Sequence, residues 1–103
     1  MRRFVRSPRL RQDIDKAVDF YELQSAELAM RFLAAFGDSV RLVRRHPAIG
    51  STRYRSILDL DGLRHVRTDA FPWLLFYREN GDRVILARLL HMSRDIAHLL
   101  SRA

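Results

Sequence analysis

The sequence predicts an α+β fold: an N-terminal strand, a helical hairpin, a three-stranded antiparallel meander packed on that hairpin, and a short C-terminal helix. Two observations carry this. Between residues 10 and 43 apolar side chains recur at spacings of three and four, with a single short break at Gln24-Ser25. From residue 63 onward the pattern becomes short apolar runs separated by turn residues.

Taken in order, Phe4-Val5 is a short apolar run that reads as a strand. Ser7-Pro8 then starts a helix, because the hydroxyl can cap free amides and proline at the first helical position loses nothing by lacking N–H. Leu10, Ile14, Ala17, Val18 and Tyr21 form the inner stripe of that helix. Ser25 caps a second helix whose stripe is Ala29, Phe32, Leu33, Phe36, Val40 and Val43, and His46-Pro47 ends it. Gly37 inside the stripe is expected where a close helix contact excludes a side chain. Residues 47–62 are rich in Gly, Ser, Asp and Pro and read mostly as loop. Strands are expected at Leu63–Thr68, Trp73–Tyr77 and Val84–Leu90, joined by a turn at Asp69–Pro72 and by Asn80-Gly81 as the central pair of a hairpin turn. Ser93 is placed to cap a last helix over Asp95–Ser101, with Ile96, Leu99 and Leu100 inward.

The chain has 103 residues, 48% hydrophobic and 30% charged, a composition expected of one globular domain over 1–103. It has no cysteine, which removes disulfides, thiolate catalysis and thiolate zinc sites. No apolar run approaches the roughly 18 residues of a spanning helix, so no membrane association is expected. The opening MRRFVRSPRL lacks the apolar core of a secretory signal, so a cytoplasmic location is expected. The net charge is +7, and the distribution is uneven. Residues 1–11 hold five arginines and no acid, and Arg41, Arg44, Arg45, Arg53 and Arg55 form a second acid-free block over 41–58. Guanidinium clusters bind phosphate or carboxylate through paired hydrogen bonds, so the partner is nucleic acid or an acidic protein surface, or these arginines are a solvated face.

Phosphate-loop, HExxH and GxSxG motifs are absent, and His46, His65, His91 and His98 lack metal-ligand spacing, so neither cofactor nor metal is expected. The polar residues that could carry function are Arg64, Arg88, His91 and Arg94. In an unbulged last strand Arg88 shares a face with Val84, Leu86 and Leu90, and His91 shares the opposite face with Ile85, Ala87 and Leu89. Arg88 in mid-strand must pair with Asp95, Asp69 or a helix carboxylate unless it serves function. His91 reads either as a strand-end histidine bonding a carbonyl or as a functional group, and Arg64 is expected to be exposed.

The segment Val84–Asp95, VILARLLHMSRD, resembles the closing signature of ParE-type toxins of the ParE/RelE superfamily, an apolar strand with an internal Arg followed by His-x-x-Arg-Asp. Leu28–Leu33 is similar to the start of that family's second helix. His46-Pro47 with Gly50 is similar to its helix end, Gly62-Leu63-Arg64 to its Gly-x-Arg strand opening, and Phe76-Tyr77 to its aromatic third strand. The five motifs occur in order along nearly the whole chain.

The resemblance implies the toxin of a type II toxin–antitoxin pair, held in a hetero-oligomer by a ParD-like antitoxin with an acidic C-terminal segment. In the ParE branch the implied target is DNA gyrase, inhibited by binding. In the RelE branch it is messenger RNA cut in the ribosomal A site, for which Arg64, Arg88 and His91 would be the catalytic candidates. A degenerate member would retain antitoxin binding alone. Met92 follows His91 and cannot transfer protons, and Arg53 and Arg55 are too basic to shuttle them. The ParE branch is therefore expected, with Arg41, Arg44, Arg45, Arg53 and Arg55 on the antitoxin-binding surface and no catalytic residue assigned.

Overall fold

A computed structural model describes residues 2–58 and 61–101. Strand β1 (Arg3–Arg6) leads into helices α1 (Pro8–Glu22) and α2 (Ala26–Arg45). A single 3-10 turn (Pro47–Ile49) and a short helix α3 (Arg53–Leu58) follow. Strands β2 (Leu63–Arg67), β3 (Trp73–Asn80) and β4 (Arg83–His91) come next, and α4 (Ile96–Ser101) closes the described chain. The α+β class and the hairpin-on-meander arrangement are as expected. The sheet is mixed, in the order β1-β4-β3-β2, with β1 parallel to β4 and the other pairs antiparallel.

Both long helices begin as their sequences dictate. The Ser7 hydroxyl accepts from the Leu10 amide with Pro8 in the first turn, and the Ser25 hydroxyl accepts from the Leu28 amide. Leu10, Ala17 and Tyr21 of α1 and Ala29, Phe32, Phe36, Val40 and Val43 of α2 are buried against Val66, Leu75, Tyr77, Val84, Leu86 and Leu89 of the sheet. The stripe is narrower than expected, since Leu33 is exposed. Gly37 does not serve a close helix contact either: a Cβ there would meet only the Arg41 guanidinium, at an ordinary 3.5 Å.

The opposite face of the sheet carries a second, smaller core of Leu63, Leu74, Phe76, Leu90, Ile96 and Leu100, with Tyr54 and Leu99 packed on it. Here the expectation of loop over residues 47–62 needs correction, although Asp59 lies outside the described residues. Two helical turns occur within it, and the Ser51 and His65 backbones exchange hydrogen bonds of 2.8 and 3.0 Å that fasten this segment to β2. Tyr54 explains α3: its ring packs edge-on against His65 and Phe76 at 5.5 and 5.6 Å, anchoring a helix too short to hold on propensity alone.

Two local expectations fail at the strand ends. The β3–β4 hairpin has Gly81-Asp82 as its central pair, not Asn80-Gly81. Asn80 pairs with Arg83 and only Gly81 takes positive φ (+63°), the pattern of a type II′ turn. Ser93 does not cap α4. The Asp95 carboxylate accepts from the His98 amide at 3.2 Å, and Ser93 turns back to His91 instead.

Candidate functional site

The β3–β4 ladder is interrupted once: Phe76 opposes Arg88, but Tyr77 opposes Leu86, so Ala87 is an extra residue on β4. The bulge falls where β1 has ended and α1 takes over the exposed edge of β4. Ser7 donates its hydroxyl to the Ala87 carbonyl at 2.6 Å, and Asp13 of α1 accepts from the Leu89 amide at 3.0 Å. The same carboxylate accepts two hydrogen bonds from Arg88, at 2.8 and 3.1 Å. Arg88 is only 8% exposed, so this pairing keeps its burial tolerable, and the partner is a helix carboxylate, not Asp69 or Asp95.

The bulge turns Val84 and Leu86 to the face of Leu89, away from Arg88, which stays with Leu90. The register from Arg88 to His91 is unbroken, so these two leave opposite faces of β4 and approach each other around the edge that β1 has vacated. Both line one cavity of about 130 Å³, together with Asp13, Lys16, Trp73, Leu89, Leu90, Arg94 and Leu99. Among the described residues His91 makes no carbonyl bond of the expected kind. Its Nδ1 accepts from the Ser93 amide at 3.1 Å and lies 2.7 Å from the Ser93 hydroxyl. An amide can only donate, so Nδ1 is the acceptor in this contact and Nε2 is the ring nitrogen left to donate. The ring stands edge-on to Trp73 at 5.0 Å, and the Trp73 indole N–H donates to the Tyr21 hydroxyl at 2.9 Å.

Arg64 is elsewhere. It pairs across β3 with Tyr77, donates to Glu79 at 2.8 Å, and reaches the Ala48 and Gly50 carbonyls at 3.1 and 2.9 Å. Its side chain is only 20% exposed, which corrects the expectation of an exposed arginine. Tyr77 completes this knot: it donates to the Pro47 carbonyl at 2.7 Å and accepts from the Gly50 amide at 2.9 Å. A Cβ on Gly50 would fall 2.5 Å from the Tyr77 hydroxyl, so this position requires glycine. Burial pushes the Tyr77 phenol above its ordinary value, so it stays a protonated donor. Arg2 and Arg64, both bonded to Glu79, hold its carboxyl below the usual range. Arg64 is thus a clamp between β2 and the 3-10 turn and does not join Arg88 and His91.

The second basic block is divided. Arg44 places its guanidinium 5.0 Å from the centre of the Phe4 ring, and with Arg2, Phe4, Pro47, Ala48 and Glu79 it lines a groove of about 430 Å³. The two basic blocks therefore meet there. Arg41 is engaged by Asp38 on its own helix, and Arg45 is exposed at the end of α2. Arg53 lies over the Tyr54 ring at 5.7 Å and Arg55 is on the same short helix, packed on the other side of the sheet.

Sequence reasoning missed Asp13, Lys16 and Trp73 as cavity residues. Asp13 is 75 positions from Arg88, and only the cost of an unpaired buried arginine signalled that such a carboxylate must exist. No group of three or more His, Cys, Asp or Glu able to hold a metal occurs among the described residues. No described helix is long and apolar enough to cross a membrane.

Comparison with known proteins agrees with the fold and with the motifs. The family described as ParE toxin of type II toxin–antitoxin system, parDE, matches residues 4–96. A solved structure, the chromosomal ParDE toxin–antitoxin system from P. aeruginosa, is similar over 90% of this chain and 98% of that chain. The two are 16% identical with a TM-score of 0.75, a likeness of fold. No curated protein matches the chain.

Proposed function

Because the chain belongs to the ParE toxin family of type II toxin–antitoxin systems, we propose that it acts by binding: it inhibits DNA gyrase and is neutralised in a hetero-oligomer by a cognate antitoxin with an acidic C-terminal segment. Its place of action is the cytoplasm, where gyrase works, and residues 1–103 act as one unit.

The observation that carries a binding mechanism is the state of His91. Its Nδ1 is engaged by the Ser93 amide at 3.1 Å, and the Met92 side chain that follows it transfers no proton. The neighbouring cations Arg88 and Arg94 do not exchange protons near neutral pH, and Arg64 is engaged elsewhere. Binding, in contrast, is well served. The Arg2–Phe4–Arg44 groove offers cations beside a half-buried aromatic ring, the complement of an acidic amphipathic segment.

The test is a cleavage assay with purified gyrase and supercoiled plasmid. Addition of the protein is expected to accumulate gyrase-linked DNA breaks, and the antitoxin to suppress them. Messenger RNA cleavage on ribosomes that disappears in His91→Ala, with gyrase unaffected, would overturn the proposal.

A further inference from the structure

Two adjoining cavities at the end of β4 share Trp73, His91 and Arg94. The first, about 130 Å³, is the polar one lined by Lys16, Arg88 and Arg94. The second, about 240 Å³, is lined by Phe20, Trp73, His91, Ser93 and Arg94. We propose that this double cavity binds one nucleotide unit of a nucleic acid, its phosphate among Lys16, Arg88 and Arg94 and its base against Phe20 and Trp73.

The charge balance favours an anion. Three cations, on α1, on β4 and in the loop before α4, face a single carboxylate, Asp13, so these four groups give the polar cavity a net charge of about +2. Arg88 is the fixed element: it is 8% exposed, and its Nε and Nη2 are held by Asp13. Its Nη1 is not engaged by Asp13. Asp13 therefore orients the guanidinium while leaving donors for a ligand. His91, with its lone pair committed to Ser93, adds an Nε2–H donor. Donors converging from three elements suit the several oxygens of a phosphate better than the two of a carboxylate.

The second cavity supplies what a base needs. Phe20 is 53% exposed although it is a large aromatic, and Trp73 is held by its hydrogen bond to Tyr21 and by Phe32 at 6.1 Å. A fixed indole beside an exposed phenyl ring, edge-on to Tyr21 at 5.1 Å, is a stacking surface next to a phosphate pocket, the combination used for single strands.

Trp73 is the only tryptophan, so its fluorescence reports on both cavities directly. The measurement is quenching in the full chain by a short single-stranded oligonucleotide, a nucleoside monophosphate, the nucleoside, inorganic phosphate and an acidic peptide. Saturable quenching by the oligonucleotide, competed by inorganic phosphate and weak with the nucleoside, is the expected result. Equal quenching by the monophosphate supports the same site with a free nucleotide as its source. Lys16→Gln and Arg94→Ser, both at exposed positions, should each weaken oligonucleotide binding about fivefold and flatten its salt dependence by about 0.7 in log–log slope. Phe20→Ala should weaken the oligonucleotide and leave inorganic phosphate unchanged. Absence of saturable quenching, or quenching by the acidic peptide with equal strength and the same Arg94 sensitivity, overturns the assignment. Neither result depends on gyrase, so the two proposals fail separately.

Discussion

At His65, burial comes first and the Arg53 cation second in pushing the imidazole below its ordinary 6.5. The ring lies between Tyr54 and Phe76, at 5.5 and 5.1 Å, and its buried Nδ1 has no hydrogen-bond partner among the described residues. A folded-state value below the unfolded one means stability is complete above about pH 6.5 and declines as pH falls, because the unfolded chain takes up the proton first. Glu79, also lowered, adds its own loss only below 4.5, so the two windows are separable. His65→Phe keeps the ring contacts and removes the titration. It should leave stability at pH 7.5 within about 1 kcal/mol and flatten the fall in denaturation midpoint between pH 7 and 5. An unchanged slope would place that titration elsewhere. Single residues were legible in the sequence only where chemistry forced a partner. Arg88 had to find a carboxylate, but Asp13 could not be chosen over other acids, because the contact depends on how α1 crosses the end of β1.

Elements were legible in proportion to their length. The hairpin helices show themselves in apolar spacing and in Ser7 and Ser25, which cap as residues of their type do. Helix α3 was hidden because it spans six residues, with a tyrosine packed on the far side of the sheet as its hold. The bulge at Ala87 was hidden because no glycine or proline marks it, and it separates Arg88 from the face of Val84 and Leu86 on which unbroken alternation puts it. Gly37 gives a test at this scale. Since a Cβ there meets only a flexible guanidinium end at 3.5 Å, Gly37→Ala should stabilise the chain by about 0.5–1 kcal/mol, read as a higher denaturation midpoint. A lower midpoint would mean that the helix needs the glycine after all.

Over the whole molecule, charge was legible in amount but not in arrangement. The second basic block was expected on one antitoxin-binding surface, but Arg44 lines a groove with Arg2, whereas Arg53 and Arg55 sit on α3 beyond the sheet. Replacing Arg44 and Arg45 by Ser is expected to weaken binding of the acidic antitoxin segment and to reduce its salt dependence. Replacing Arg53 and Arg55 should produce an independent loss if the segment wraps from one face to the other, and the two losses should add. Full affinity at low salt in the fourfold variant would remove these arginines from the interface.

The parallel pairing of β1 with β4 also has a kinetic meaning. Arg3 and Ser7 donate their amides to Asp82 and Leu86, which lie some 80 residues later in the chain. On a ribosome the first strand has no mate until β4 has left the exit tunnel. The hairpin emerges early, with its inner stripe still bare, and waits for the three later strands to cover it. Chains that stop before β4 thus lack both the completed sheet edge and the Arg88–His91 side of the cavity, so synthesis of that strand converts an inert polypeptide into a competent one.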